Sequence, residues 1–578
     1  MNTKSPIINC HTHVFTGDHV PPYLAKTFLP LGLYYLVPLS FIIRIFRFWY
    51  KLPGKWRFKP WYKLMVEIFY KIRMFGSRSG IRRAISFIVG LFLAIQVFYI
   101  LNDWVSSLGY KSIIGAYIQQ ARDWLSGYSL ICIPGSIFGK LGLIIILVLF
   151  FKSGRNLLFF ILKKAWSFLG VIPGPKSKEL ADRYLNLARF ALYHDQSDVF
   201  TRLKNQYPEG TGFVVLPMDM EYMEAGELKE GFRYADQMKN LQTVKKNNKD
   251  IFFPFVFVDP RRVVEEGNAH LKYKINDGKV ILEDCFIQKY IEKNKFSGFK
   301  IYPALGYYPF DEALLPLWKY AADNELPIMT HCIKGTIFFR GDKKKEWDKH
   351  PVFEQATGEE KYKPLLLLET KNIDFCGNFT HPMNYLCLLD ERLLRKLVGK
   401  SKDEKIRTLF GYNGPDHKMK YNLSHLKLCF GHFGGDDQWN RFLESDRDNY
   451  ASQLIKQPLK GITFLENEKG EPTPGKPEQI WKFVDWYSII CSLMLQYPHV
   501  YADLSYIIHS PGIQPLLKHT LMNEKLKTKV LFGTDFYVVR NHKSEKNMVA
   551  DMVDHLTEEE FDLIARVSPG VFLGNRIH

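Results

Sequence analysis

The chain has 578 residues, 46% of them hydrophobic, with 78 Lys plus Arg against 60 Asp plus Glu and a net charge of +18. This length and apolar content exclude a disordered chain and allow more than one domain. The basic excess is local, because residues 1–172 hold 21 Lys plus Arg and only 4 Asp plus Glu, which excludes the evenly basic surface of a nucleic-acid binder.

The first predicted element is the apolar strand over residues 7–13, ending in His11-Thr12-His13. Alternate residues of a strand share a face, so the two imidazoles point the same way and make half of a metal site. The strand begins too close to Met1 to leave room for a secretory signal. The eight cysteines include no CxxC pair and read as reduced core thiols, not as a disulfide framework.

Residues 28–172 read as a basic hydrophobic insert. Ala84 to Leu101 carries no charge over 18 residues, close to the roughly 20 that span a bilayer as a helix. A second apolar stretch covers residues 129–151 and contains Pro134 and Lys140. Strand one precedes the insert and the other strands follow it, so the chain crosses a membrane an even number of times or not at all. Residues 44–83 hold twelve basic residues and one acidic, whereas 102–128 hold two of each. Positive residues stay on the cytoplasmic side, so spans over 84–101 and 129–151 leave the remainder facing the cytoplasm. Pro30 to Ile43 then reads as re-entrant or interfacial, and Asn156 to Val171 as an interfacial helix. Trp49, Trp56, Trp61 and Trp166 suit the headgroup layer. The soluble alternative is a hydrophobic cap or an interface with a second copy of the chain.

Seven further apolar strands are predicted over residues 213–219, 252–259, 298–303, 326–331, 426–432, 499–503 and 530–535. Most end in a polar or ionisable residue. Helical stretches, such as 225–247 and 311–324, separate most of them. Strands alternating with helices imply a parallel sheet, and eight such units close into a (β/α)8 TIM-type barrel with its chemistry at the C-terminal strand ends. The expected fold class is therefore α/β: a first strand in 1–27, a helical insert over 28–172, and the rest of the barrel over 173–578. The charged segments 341–363 and 466–477 read as rim loops.

The strand ends supply the candidate site residues: His11, His13, Lys300, His331, His432 and Asp535. Arg261 and Arg262 follow Asp259, where an arginine could grip a substrate carboxylate. His381 lies between strands five and six and is a candidate pocket residue. His19 and His194 are weaker candidates.

These stretches resemble the amidohydrolase superfamily. Their wording is nearest to the amidohydrolase-related branch that includes aminocarboxymuconate-semialdehyde decarboxylase. The matching segments are "INCHTHVFTGDHVP", "VLPMDMEYM", "FPFVFVDPRR", "GFKIYPALGYYP", "PIMTHCIKGT", "LCFGHFGG", "VYADLSY" and "LFGTDFYV". The resemblance covers residues 1–22 and about 178–578, and the insert has no counterpart in it. It implies that His11, His13, His331 and Asp535 hold one divalent ion, with zinc the first choice, although such ligands also suit Mn, Fe or Co. Asp535 would also take the proton of the activated water, and His432 would act as acid, base or oxyanion stabiliser. Lys300 would either bridge two metals as a carbamate or contact substrate, and the branch favours one metal.

The expected reaction is metal-dependent hydrolysis of a carbonyl substrate such as an amide, a lactone or an ester. Non-oxidative decarboxylation is the alternative within the superfamily, and a catalytically retired membrane-anchored scaffold is the alternative outside it. The expected partners are a small molecule, amphiphilic if the bilayer delivers it, together with membrane lipids and a second copy of the chain, but no nucleic acid.

Overall fold

The computed structural model describes residues 5–29, 32–36, 38–44, 61, 64–68, 70–71, 80–107, 115–150, 193, 195–356, 362–444, 449–467, 469–473, 475–538 and 543–576. The chain divides into two compact units, Met1–Arg47 with Glu179–His578, and Phe48–Lys178. Residues 28–47, read from sequence as the start of the insert, group with the first unit. Leu39 and Ile43 explain this, since both are buried in that unit's hydrophobic core, while Leu36 and Phe41 of the same stretch are exposed.

The first unit is a mixed α/β fold. Its parallel strands are β1 (Ile8–Thr12), β2 (Gly212–Val215), β3 (Phe252–Pro254), β4 (Val256–Phe257), β5 (Phe299–Ile301), β6 (Ile328–His331), β7 (Leu428–Gly431), β8 (Val500–Asp503) and β9 (Val530–Leu531). Each of the eight expected runs contains one of these strands, and β3 and β4 share a run. The strands are buried on both faces and rich in Val, Ile and Phe, the pattern of a parallel sheet covered by helices. The covering helices include Tyr234–Asn247, Leu315–Asp323 and Trp486–Gln496. A smaller core of Ile8, Cys10, Val214, Met329, Cys429 and Leu531 sits apart from the main one.

The strands form two sheets, β1-β2-β3 and β9-β8-β7-β6-β5-β4. At one seam Phe255 donates its N–H to Val215 O at 3.0 Å, and the next residue, Val256, donates to Gly298 O at 2.9 Å. At the other seam Cys10 N–H reaches Phe532 O at 2.8 Å and Asp535 N–H reaches His11 O at 2.9 Å. Backbone hydrogen bonds thus cross both seams, although the ladder itself is not continuous.

Three sequence expectations need correction. The helix expected over 225–247 starts at Tyr234, because Glu224, Gly226 and Gly231 all adopt positive φ upstream of it. The segment 341–363 is not only loop: Lys349–Ala356 pairs with Tyr362–Leu366 as an antiparallel hairpin, and Val352 and Phe353 bury its inner face. A second hairpin joins Tyr273–Asn276 to Lys279–Leu282. All eight cysteines are free, as expected of reduced thiols, and Cys132 alone is exposed.

The third correction falls in the unit Phe48–Lys178, whose described helices are α1 (Gly80–Ser107), α2 (Gly115–Gly127) and α3 (Ile137–Phe150). The span expected over 84–101 lies inside α1, the one helix among the described residues that is long and apolar enough to cross a membrane. The span expected over 129–151 is helical only from Ile137. Ser129 adopts a φ of 56°, and Pro134 lacks the N–H that a helix needs. The expectations at Trp49, Trp56, Trp166, His194 and residues 156–171 fall outside the described residues.

Candidate metal centre

Five of the predicted side chains meet at the C-terminal ends of the strands. His11 lies in β1 and His13 one residue beyond it. The β1–β2 register shifts between Asn9 and Thr12, and such a bulge re-aims the side chains beside it. His11 and His13 both turn towards Asp535, with Nε2 to Oδ1 distances of 3.9 and 3.2 Å. His331 ends β6, and His432 follows β7. Both His432 and Asp535 hold left-handed backbone conformations, with φ of 65° and 61°. Non-glycine residues avoid this region, and such strain gathers at functional sites.

Two glycines make room for the His11 ring. A Cβ on Gly431 would stand 3.0 Å from His11 Cε1, and one on Gly533 would stand 2.9 Å from His11 Cβ. The predicted strand ends "FGH" and "FGT" therefore use glycine for close approach.

Each imidazole is held by its Nδ1. His11 Nδ1 faces Asp503 Oδ2 at 2.9 Å and Ser505 Oγ at 3.0 Å. His13 Nδ1 donates to Leu216 O at 2.8 Å. His432 Nδ1 lies 2.9 Å from Ser505 Oγ and 3.2 Å from Ser505 O. A carbonyl or carboxylate oxygen only accepts, so these three rings carry their protons on Nδ1. His432 Nε2 is then basic and accepts from His331 Nδ1 at 3.0 Å. One proton arrangement thus satisfies all four rings and leaves every Nε2 as the basic nitrogen. Metal ligation needs this tautomer, and a carboxylate or carbonyl behind the ring is its usual support.

Asp503 and Ser505 anchor the arrangement. Asp503 also accepts from His432 N–H at 3.1 Å and Ser505 N–H at 3.0 Å, and Ser505 Oγ donates to it. Burial alone would raise the Asp503 carboxyl, but His11 and its hydrogen bond hold it well below the carboxylate range. Burial would likewise raise Asp535, yet His13, whose Nε2 lies 3.2 Å from its Oδ1, and the neighbouring His432 and His11 bring it down to about 2. Burial lowers His11 and takes His432 down to about 3, so both rings are neutral near pH 7. Sequence reading noted Asp503 only as a strand end and missed Ser505. The available signal was Asp503-Leu504-Ser505, an i, i+2 pair that the strand period puts on one face.

His11, His432 and Asp535, all buried, each offer one ligand atom, and these atoms lie within 4.8 Å of one another. His11 Nε2 makes no hydrogen bond although it is buried. Two imidazole nitrogens and a carboxylate, with His13 Nε2 beside Asp535, fit a divalent ion of the zinc class. The grouping differs from the expected set of His11, His13, His331 and Asp535. The His331 ring stacks on Tyr302 at 3.8 Å and turns Nδ1 to His432, which leaves His432 nearer the cluster.

Lys300 is fully buried, its Nζ makes no hydrogen bond, and burial lowers it to about 8 against the opposing pull of Asp503 and Asp535. The arginines are not available as a grip. Arg261 binds Asp259 through Nε at 2.8 Å and Nη2 at 2.6 Å, and Nη1 reaches Tyr222 O at 3.0 Å. Arg262 pairs with Asp219, Glu221 and Glu266. His381 stacks on Trp481 at 3.9 Å and accepts from Met383 N–H. It is a packed histidine that caps the short helix beginning at Pro382. His19 is tied to Thr16.

No family model matches the chain, and no curated protein matches it. Solved structures do match. A 2,6-dihydroxybenzoate decarboxylase in complex with 2,6-dihydroxybenzoate is 11% identical, with 65% of this chain and 87% of that one covered at a TM-score of 0.34. A 5-carboxyvanillate decarboxylase from Novosphingobium aromaticivorans, complexed with manganese, is 13% identical, with 73% and 92% covered at a TM-score of 0.37. A 4-oxalomesaconate hydratase from Rhodopseudomonas palustris is 13% identical, with 65% and 79% covered at a TM-score of 0.31. Likeness at these TM-scores decides neither fold nor activity, so the functional reading rests on the side chains of the centre.

Proposed function

We propose that the unit formed by Met1–Arg47 and Glu179–His578 is a divalent-metal-dependent hydrolase of the amidohydrolase type, acting on a carbonyl substrate such as an amide, a lactone or an ester. In this reading the two sheets close through their two seams into an eight-stranded (β/α)8 barrel, β3 and β4 counting as one strand. The observation that carries the proposal is the buried cluster of His11, His432 and Asp535, with its ligand atoms within 4.8 Å of one another.

His11, His13 and Asp535 hold the ion, with His331 or His432 completing the set. When bound, a zinc-class ion supplies an activated water and a Lewis acid for the carbonyl oxygen. Asp535 accepts the water's proton on its carboxylate. With His331 completing the set, His432, braced through Nδ1 by Ser505, would take up that proton on its basic Nε2 and pass it to the leaving group. Asp503 and Ser505 keep the rings in the tautomer that ligation needs.

Decarboxylation is the second reading, and Lys300 is what favours it. Both arginines that might grip a carboxylate are already paired, while the buried Lys300 Nζ makes no hydrogen bond. A substrate carboxylate drawn towards Lys300 would satisfy it.

Elemental analysis of the detergent-purified full chain, beside His11→Ala and His331→Ala, tests the proposal. About one zinc per chain, lost in His11→Ala, is expected; loss in His331→Ala as well would assign His331 as the fourth ligand, and retention would assign His432. A wild-type chain that takes up no metal on reconstitution would overturn the enzyme reading and leave the scaffold. Product analysis on amides, lactones and carboxylated aromatics then separates hydrolysis from release of carbon dioxide.

A further inference from the structure

Among the described residues, the unit Phe48–Lys178 supplies none of the side chains of that centre. α1 has 28 residues, about 42 Å at 1.5 Å per residue, which exceeds the roughly 30 Å hydrocarbon core of a bilayer. Only 28% of its most apolar window is buried. Phe87 and Ile88 on α1 are 70% and 63% exposed, and Phe138 on α3 is 83% exposed. Further along, Leu91, Phe92, Leu141, Ile145 and Ile146 are also bare. Exposed large apolar side chains in this number mark an interaction surface.

Inside the unit, by contrast, polar groups are paired. Gln96 on α1 is fully buried; its Nε2 donates to Leu130 O at 2.6 Å and its Oε1 accepts from Cys132 N–H at 2.8 Å. Arg122 on α2 pairs with Asp103 on α1 at 2.7 Å. Arg122 ties α2 to the C-terminal part of α1, and α3 packs on α1. Gln96 serves backbone groups in the non-helical stretch before α3. Non-helical backbone at membrane depth needs such protein partners. Lys140, expected at mid-span, sits in the first turn of α3, because the helix begins only at Ile137. From there its long stem can carry the ammonium to the interface.

Two facts identify what covers the apolar surface. β1, before the unit, pairs with β2, after it, so both ends of the unit lie on one side of any bilayer. The entering flank, residues 44–83, carries twelve basic residues and one acidic, a complement to anionic headgroups. α2, with Gln119, Gln120, Arg122 and Asp123, is too polar for the hydrocarbon, and its exposed Tyr117 and Trp124 suit an interface.

We propose that the unit Phe48–Lys178 inserts into an anionic lipid bilayer as a helical hairpin, with α1 and α3 in the hydrocarbon and α2 at the far interface, and anchors the metal-bearing unit to one face of the membrane. Full-length protein is compared with Phe87→Glu/Phe138→Glu in two assays: retention in membranes after a carbonate wash, and flotation with vesicles of phosphatidylcholine alone or with phosphatidylglycerol. Both replaced side chains are exposed, so zinc content and thermal melting serve as controls for folding. Wild type should stay with membranes and float better on anionic vesicles, and the double variant should lose roughly tenfold or more of its retention with zinc content unchanged. Release of wild-type protein by the wash would overturn the proposal. So would a detergent-free soluble dimer that the double variant dissociates, since a second copy would then cover the face.

Discussion

The two units use charge in opposite ways. Phe48–Lys178 holds 19 Lys plus Arg against 3 Asp plus Glu, which leaves 59 against 57 for the rest of the chain. The nearly neutral unit buries its decisive polar groups completely: His11, Lys300, Asp503 and Ser505 have no exposed surface. The basic unit does the reverse and exposes phenylalanine and isoleucine while pairing Gln96 and Arg122 inside. Buried charge costs free energy unless it is paired or bound, and bare apolar surface costs free energy in water. Each unit therefore carries a cost in water alone, and on the readings proposed above a cation relieves one and lipid the other.

The largest effect that sharpens this contrast is His11→Ala. It should abolish metal binding and turnover while membrane retention stays at the wild-type level; loss of retention as well would show that the two units do not act separately. Asp503→Asn should come next. An amide cannot accept from His11 and His432 as the carboxylate does, so metal affinity should fall by about 10- to 100-fold, measured by competition with a chelator, with secondary structure intact. Unchanged affinity would reduce Asp503 to packing.

Gly533→Ala is a milder change. The added methyl meets His11 Cβ at 2.9 Å and Ser505 Cβ at 3.2 Å, so stability to urea should fall by about 1–3 kcal/mol with weaker metal binding. The smallest effect lies outside the centre. Hydrogen bonds from His270 and Arg262 pull Glu266 down to about 2. A depressed carboxyl contributes stability above its ordinary value of 4.5 that is lost as pH falls from there towards 2. Thermal melts of Glu266→Gln should therefore lie slightly below wild type at pH 6, with the gap closing as pH falls from 4.5 to below 2. A gap that does not narrow over that range would assign the effect to something other than ionisation.

The strands were legible because most of the buried runs stop at a polar residue, and this local pattern needs no knowledge of partners. His11, His13, His331, His432 and Asp535 followed from it. The tautomer relay through Ser505 was not legible, since it depends on residues 494 positions apart meeting. Arg261 was misjudged for a local reason. Asp259, two residues earlier, binds it in bidentate fashion, and an Asp-x-Arg pair at a helix start makes that pairing available. The boundary at Arg47 depended on burial of Leu39 and Ile43 by distant residues, which hydropathy alone does not report.

The pairing of β1 has a consequence for how the chain is made. Its two histidines are synthesised first, yet Thr12 bonds to Val214, 202 residues later, and His11 to Asp503, 492 residues later. A ribosome-bound chain shorter than that carries the imidazoles with neither carboxylate. The whole of Phe48–Lys178 emerges before β1 meets its first partner strand. On the readings proposed above, insertion and site assembly are thus ordered in time: a nascent chain would reach its membrane before it could hold an ion, and one cut short of Asp535 would never complete the centre.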